Sequence, residues 1–139
     1  MRFNKILVPL DGSKNSFRAL SNAITLAKQT QSEITGLFVI QSNPSEIDTL
    51  RNILKKNQKT QYQNIMKKAR MQCKRNDIGF IDLLEYGHEG NTIVSFARKN
   101  KFDLIVIGSR GLGPLKEFFL GSTSRHVVHY SKIPVLVIK

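Results

Sequence analysis

Among its 139 residues the chain has one cysteine and no tryptophan, and its apolar runs are short. Cys73 stands alone, so no disulfide can form within the chain, which indicates a reducing compartment. Apolar runs such as 104–107 fall far short of the ~18 to 20 residues that a transmembrane helix requires. The first residues lead into a short apolar run with no small-residue cleavage site after it. We therefore expect no secretory signal and a cytoplasmic protein.

Acidic residues are also scarce: 10 Asp and Glu stand against 22 Lys and Arg, giving a formal net charge of +12. The excess is concentrated between residues 51 and 76, a segment without any acidic residue. Its basic residues are Arg51, Lys55, Lys56, Lys59, Lys67, Lys68, Arg70, Lys74 and Arg75. Such a segment is typical of a solvated helix surface, and also of a surface that binds phosphate backbones or acidic proteins.

Size and composition predict one globular domain spanning residues 1–139, because 40% of the residues are hydrophobic and 23% are charged. Runs rich in Ile, Leu and Val predict strands buried on both faces. These runs are 5–10, 34–40, 104–107 and 134–138. A more mixed run at 79–86 predicts a strand toward an edge of the sheet.

Helical periodicity occupies the intervals between the strands. It predicts helices over 13–29, with Ser13 or Ser16 as the cap, and over 91–99 and 122–130. Residues 46–76 predict one long amphipathic helix with a candidate interruption at 57–58. Its apolar stripe consists of Leu50, Ile53, Leu54, Tyr62, Ile65, Met66, Ala69 and Cys73. The alternation of strands and helices predicts an α/β fold with a mainly parallel sheet and helices on both faces.

Two turns follow strands at the edge where ligands of such sheets bind. The first strand ends in residues 8–13, VPLDGS. There Asp11 has the chemistry to accept hydrogen bonds from a ribose or to help hold a hydrated metal ion. The same residues also fit an Asp-Gly turn followed by a helix cap.

The second turn contains residues 108–114, GSRGLGP, and is followed by residues 121–124, GSTS. Glycine lets backbone N–H groups approach an anion closely, and a helix N-terminus adds oriented donors and partial positive charge. Ser122 and Thr123 supply hydroxyl groups, and Arg110 supplies a charged donor for a phosphate oxygen. The alternative is a flexible linker followed by a capped helix.

Several motifs are missing. The sequence has no G-x-x-x-x-G-K-[ST], which excludes a P-loop lysine. His88, His126 and His129 form no metal cluster, and Cys73 has no spacing that indicates catalysis. His126 and His129 are three residues apart on a predicted helix and can share a face, where a solvated or partly packed pair is favoured over a metal site.

The glycine spacing resembles that of the ATP-binding branch of the universal stress protein family. That branch carries G-x-x-G, nine residues and then G-[ST]. Here the pattern is Gly108-x-x-Gly111, residues 112–120, and Gly121-Ser122. Residues 8–13, VPLDGS, 38–40, FVI, and 133–138, IPVLVI, also match, so the resemblance covers essentially the whole chain.

The resemblance implies a Rossmann-like fold of the adenine nucleotide alpha hydrolase-like type, with five parallel strands in the order 3-2-1-4-5. The backbone of Val39 would contact adenine, Pro9 and Asp11 would line the adenosine end, and Asp11 would meet the ribose. The last strand, 133–138, would pair antiparallel with its twin in a homodimer. The expected phosphate-binding residues are Gly108, Gly111, Gly121, Ser122 and Thr123, with Ser109 and Arg110 in the connecting turn.

The resulting hypothesis is a cytoplasmic ATP-binding regulatory module of the stress response, with or without Mg²⁺, that has an unidentified protein partner and no membrane association. One alternative is a slow ATPase using Asp11 or a metal-bound water, for which we expect very slow or absent turnover. Another is a module that binds nucleic acid or an acidic partner through the basic helix at 51–75. This basic segment departs from the family pattern.

Overall fold

Strands and helices alternate along the chain, and the computed structural model describes residues 2–42, 48–111 and 120–139. The elements are β1 (Lys5–Pro9), α1 (Lys14–Thr30), β2 (Glu33–Ile40), α2 (Asp48–Arg75), β3 (Phe80–Tyr86), α3 (Glu89–Lys99), β4 (Leu104–Gly108), α4 (Ser122–Tyr130) and β5 (Val135–Ile138). The strands form one sheet in the order β3-β2-β1-β4-β5, and each neighbouring pair is parallel. The predicted fold class and strand order are therefore confirmed.

Successive side chains of each central strand point to opposite faces of the sheet, so both faces are apolar. Helices pack on both of these faces. Ile6 and Val8 of β1 join a core cluster with apolar residues of α1 and α2. Leu7, between them, joins a second cluster with residues of α3 and α4. Strands β1 and β4 are almost wholly buried, which explains their continuous apolar sequences. None of the described helices is long and apolar enough to cross a membrane.

The two outer strands differ from the central ones. Strand β3 lies at an edge, as its mixed sequence predicted. The prediction that residues 134–138 form a strand buried on both faces is wrong, because β5 lies at the other edge and Leu136 is 39% exposed. Only β4 pairs with β5 among the described strands. Within the described part of the chain, an apolar sequence thus lies at an unpaired edge of the sheet.

The long helix α2 is continuous, so the expected interruption at 57–58 is absent. Glu46, its predicted first residue, lies outside the described residues, as does the side chain of Leu50. The apolar stripe is buried toward its C-terminal end, at Met66, Ala69 and Cys73, whereas Ile53 is 53% exposed. Burial raises the pKa of the Cys73 thiol to about 11, which keeps the thiol protonated and unreactive at neutral pH.

Helix α2 is tied to the edge strand β3 by a polar group of three side chains. The Tyr62 hydroxyl donates a hydrogen bond to Asp82, and Arg70 forms an ion pair with the same carboxylate. Asp82 lies within β3, so this group holds the helix across the sheet edge.

Several boundaries differ by one or two residues from the sequence-based expectation, and the shifts of β4 and α3 affect the binding edge of the sheet. Strand β4 extends one residue further, to Gly108. Helix α3 begins at Glu89 rather than at Asn91, with His88 as its N-cap residue. The earlier start places the Glu89 carboxylate in the first helical turn, beside the carboxyl ends of the strands.

At Gly108 the end of β4 lies close to the start of α1. A Cβ atom at this position would lie 2.9 Å from the backbone carbon and oxygen of Asn15. Backbone atoms cannot rotate away as a side chain can, so even a methyl group would force β4 and α1 apart.

We therefore predict that Gly108→Ala lowers the free energy of unfolding by about 1–3 kcal/mol, as overpacking typically does. Gly79→Ala is the matched control, because its Cβ would meet nothing nearer than the Glu33 side chain at 3.8 Å. That control is expected to change stability by no more than about 0.5 kcal/mol. Urea unfolding of both variants measures the difference, and equal stabilities would contradict the close approach at Gly108.

Candidate functional site

The turn after β1 combines the Asp-Gly turn and the helix cap expected from its sequence. Asp11 Oδ1 accepts a hydrogen bond from the backbone N–H of Ser13 at 2.9 Å, and Gly12 has φ +90°, in the left-handed region. The Ser13 hydroxyl in turn accepts from the N–H of Ser16 at 3.1 Å and caps α1. The second Asp11 carboxylate oxygen faces the turn after β4, because a Cβ at Gly111 would lie 2.6 Å from it.

Ser109, directly after β4, is a buried structural residue. Its backbone N–H donates to Ile138 at 2.7 Å, and its side-chain oxygen accepts from the Asn15 amide at 3.2 Å. Its carbonyl accepts from the N–H of Gly121 and from the Ser124 hydroxyl, both at 2.8 Å. Ser109 therefore joins the end of β4 to α1, to α4 and to β5.

Helix α4 begins beside these turns, and no side chain of the described residues makes a capping hydrogen bond at its N-terminus. Gly121 is its N-cap residue, and Ser122 and Thr123 form the start of its first turn. The first N–H groups of a helix have no partner within it, and they carry a partial positive charge. In contrast to α1, which the Ser13 hydroxyl closes, α4 offers these donors to a ligand.

Two adjoining cavities lie at the carboxyl ends of the strands. The glycine-lined cavity has a volume of about 200 Å³ and is lined by Pro9, Asp11, Ser16, Glu89, Ile107, Gly108, Arg110, Gly111, Gly121, Ser122, Thr123 and Ser124. The Val39 cavity has a volume of about 230 Å³ and is lined by Pro9, Leu10, Asp11, Leu37, Phe38, Val39, Gln41, Gln58, Gln61, Glu89 and Ile93. Because Pro9, Asp11 and Glu89 line both cavities, we treat them as one cleft.

The structure brings together nine of the ten residues that the sequence singled out. Val39 lines one cavity, Pro9 and Asp11 lie at the junction, and the glycine-lined cavity contains Gly108, Arg110, Gly111, Gly121, Ser122 and Thr123. The exception is Ser109, which lines neither cavity and is engaged in the contacts described above. The role of each of these residues toward a ligand stays a prediction.

Sequence reasoning missed Glu89, which lines both cavities. The missed signal was an acidic residue just after the Gly87-His88 turn, a position that suits the first turn of a helix. Ser16 and Ser124 also line the glycine-lined cavity, and neither was singled out as a binding residue.

Electrostatically, the cleft is unlike the rest of this basic chain. Its charged lining residues among those described are Asp11, Glu89 and Arg110. Burial raises the pKa of the Glu89 carboxyl, and the nearby Asp11 carboxylate raises it further. A hydrogen-bonding interaction with Thr123 and the charge of His88 act in the opposite direction.

The basic segment contributes Gln58 and Gln61 to the cleft, but none of its described basic residues lines either cavity, and part of the segment is engaged within the chain. Lys55 lies 5.7 Å from the ring centre of Tyr86, Lys68 lies 4.3 Å from that of Phe17, and Arg70 pairs with Asp82. Among the described basic residues of α2, those that are solvent-exposed are Lys56, Lys59, Lys67, Lys68, Arg70, Lys74 and Arg75. Binding of nucleic acid or an acidic partner through this helix stays a prediction.

Metal ligands are not clustered in the described part of the chain, where no three His, Cys, Asp or Glu side chains group around a common point. The ring centres of His88 and His126 lie 6.3 Å apart.

The raised pKa of Glu89 predicts a pH-dependent stability. The folded chain disfavours the ionised carboxyl relative to the unfolded chain, so Glu89 costs stability increasingly as the pH rises from the ordinary carboxyl pKa through the raised one. Glu89→Gln carries no charge at any pH. It is therefore expected to unfold at a higher denaturant concentration than the wild type at neutral pH, with the gain shrinking at about pH 4.

The measurement is urea unfolding at both pH values. Glu85→Gln removes a carboxylate outside the cleft and controls for the change in net charge. Equal gains in the two variants would show that the environment of the cleft is not the cause.

Comparisons with known proteins agree with this architecture. The model of the universal stress protein family matches residues 2–139. Universal stress protein YxiE of Bacillus subtilis (strain 168) is 34% identical, over 99% of each chain. The solved structure of universal stress protein UspA from Lactobacillus plantarum superposes with a TM-score of 0.88 at 25% identity, covering 100% of this chain and 99% of that one.

A further solved structure has the same fold and carries a ligand. The universal stress protein from Archaeoglobus fulgidus in complex with dAMP has a TM-score of 0.74 at 22% identity, covering 100% of both chains. At this identity the similarity shows the fold alone. The match of the family model over nearly the whole chain and the 34% identity to YxiE carry the assignment. This chain belongs to the universal stress protein family.

Proposed function

We propose that this protein binds adenine nucleotides, ATP among them, as a cytoplasmic regulatory module of the stress response. The observation that carries the proposal is the cleft, which joins a cavity at the end of β2 to a glycine-lined cavity between β4 and α4. An adenosine phosphate has the same two-part character, with a flat base at one end and anionic phosphates at the other.

The Val39 cavity suits the base. Leu37, Phe38 and Ile93 provide apolar surface there, and Gln58 and Gln61 from α2 provide amide groups. Val39 is only partly buried, and its backbone lies near the carboxyl end of β2. Backbone N–H and C=O groups at this position have the donor and acceptor pattern that an adenine edge requires. Asp11, at the junction of the two cavities, is the acceptor we assign to the ribose hydroxyls.

The glycine-lined cavity suits the phosphates. The uncapped N-terminus of α4 supplies N–H donors, Ser122 and Thr123 supply hydroxyls, and Arg110 supplies the guanidinium group. Asp11 carboxylate oxygens are the ligand type that Mg²⁺ prefers, so a phosphate-bound Mg²⁺ is compatible with this end of the cleft. The dAMP held by the Archaeoglobus fulgidus protein supports an adenine nucleotide as the ligand class.

Regulation rather than turnover is the proposed outcome of binding. Catalysis of hydrolysis requires a group that activates a water in line with the terminal phosphate. Neither carboxylate of the cleft is assigned that role, and we propose little or no hydrolysis. Nucleotide then acts by favouring one of two states that bind it differently, and an unidentified protein partner reads the state.

We further propose that the protein is a homodimer paired through residues 133–138. In the sheet, Pro134 and Ile138 accept hydrogen bonds from N–H groups of Ile105 and Ser109. The backbone N–H and C=O groups of successive residues point to alternate sides of a strand. Those of Val135 and Val137 therefore point away from β4. An apolar edge with outward N–H and C=O groups is a template for pairing with a second copy.

Nucleotide binding is tested by calorimetry with ATP, with and without Mg²⁺, on protein stripped of bound nucleotide. We predict a micromolar dissociation constant for the wild type and an affinity about tenfold weaker for Gly111→Ala, a loss of about 1.4 kcal/mol. The physical reason is that the added methyl group would lie 2.6 Å from Asp11 Oδ2 and displace that carboxylate.

Gly79→Ala is the matched control, because it adds the same methyl group far from the cleft at an uncrowded site. Gly108→Val is unsuitable, since it would crowd the Asn15 backbone and confound loss of binding with loss of fold. Folded wild-type protein that binds no ATP under either condition would refute the proposal.

Dimerisation is tested by light scattering during size-exclusion chromatography. Val137→Pro removes one outward N–H group while leaving the pairing of β4 with β5 in place, so it is expected to convert a dimer into a monomer. Val137→Ala shortens the same side chain but keeps the N–H, and should remain dimeric. A Val137→Pro dimer, or a monomeric wild type, would contradict pairing through this strand.

A further inference from the structure

The cleft contains more negative than positive charge where an anion is expected to bind. Among the described residues that line it, Asp11 and Glu89 are acidic and Arg110 is basic. Nucleotide phosphates entering the glycine-lined cavity would bring further negative charge close to both carboxylates. Two like charges at short range in a partly buried site cost free energy unless one of them is neutralised.

Glu89 also shares the glycine-lined cavity with Thr123, one of the hydroxyl residues that we assign to the phosphates. An ionised carboxylate only accepts hydrogen bonds, so an ionised Glu89 competes with the phosphate oxygens for the donors of this cavity. A protonated Glu89 removes this competition, because its own O–H becomes a donor.

We propose that Glu89 selects the nucleotide by charge: phosphate binding is coupled to the uptake of one proton by the Glu89 carboxyl, so affinity rises as the pH falls. The inference rests on the proposed nucleotide site and adds a specificity residue to it. The proton comes from solvent and is held on a Glu89 carboxylate oxygen. No bond of the nucleotide is broken. Adenosine, which lacks phosphates, is expected to bind without this coupling.

The groups around Glu89 come from each neighbouring element. Asp11 faces it from the turn after β1, and Arg110 lines the same cavity from the turn after β4. Thr123 lines the same cavity from α4, and His88 precedes Glu89 at the N-cap of α3. His126 of α4 packs against Gly90, within 3 Å of where a Cβ of that residue would lie. Burial raises the pKa of Glu89, and a bound phosphate acts in the same direction, since both favour the protonated carboxyl.

The test is calorimetry with AMP, metal-free ATP and adenosine at several pH values, in paired buffers of different ionisation enthalpy. Heat differences between buffers give the number of protons taken up. For the wild type we expect uptake of about one proton per AMP or ATP bound. The dissociation constant should fall by up to about tenfold for each unit by which the pH is lowered, over the pH range in which Glu89 becomes protonated. Glu89→Gln keeps the shape of the side chain but cannot titrate, so its profile should be flatter and its binding at neutral pH tighter.

Both histidines remain in Glu89→Gln, and the free nucleotide titrates identically in the two experiments, so the difference between the two profiles gives the proton uptake that depends on Glu89. Glu85→Gln, which removes a carboxylate from the separate groove between β3 and α3, should retain the wild-type profile. Identical proton uptake by wild type and Glu89→Gln would overturn this inference while leaving nucleotide binding intact. If folded wild-type protein binds none of the three ligands at any pH, both the proposed function and this inference fail.

Discussion

The cleft depends on the close approach of β4 to α1, which is possible because the last residue of β4 is a glycine. Gly108 lets the strand end against the backbone of Asn15, and this brings Ser109 within reach of the Asn15 amide. The Ser109 carbonyl then fixes the start of α4 through Gly121 and Ser124. The absence of a side chain at Gly108 therefore determines where the N-terminus of α4 faces, and the polar lining of the cleft follows from that placement.

Sequence patterns predicted the sheet well because its central strands are apolar throughout and the intervening helices are amphipathic. They misjudged β5, since residues 134–138 are as apolar as a central strand but lie at an edge. Most of the cleft was predictable because glycine spacing and strand ends fix where the turns meet. Glu89 was missed because a histidine N-cap gives no standard signal for the helix start, and Ser109 was assigned to the turn although its contacts are with distant elements.

Net charge and local charge act at different ranges in this protein. The formal charge of +12 creates a long-range field that favours the approach of anions, and salt screens it within about 10 Å at moderate ionic strength. Inside the cleft the balance is reversed by Asp11 and Glu89. Attraction toward the molecule and discrimination at the cleft are therefore separate properties, carried by different residues.

The two open edges of the sheet are chemically unequal, and this bears on how far self-association can extend. Strand β5 consists of four apolar residues, whereas β3 contains Asp82 and Glu85, and the Asp82 carboxylate is held by Tyr62 and Arg70 of α2. Charged residues within an edge strand discourage pairing with another strand. A pair of chains joined through β5 would present a β3 edge at both ends, so the sheet stops growing at two copies instead of polymerising into a fibre.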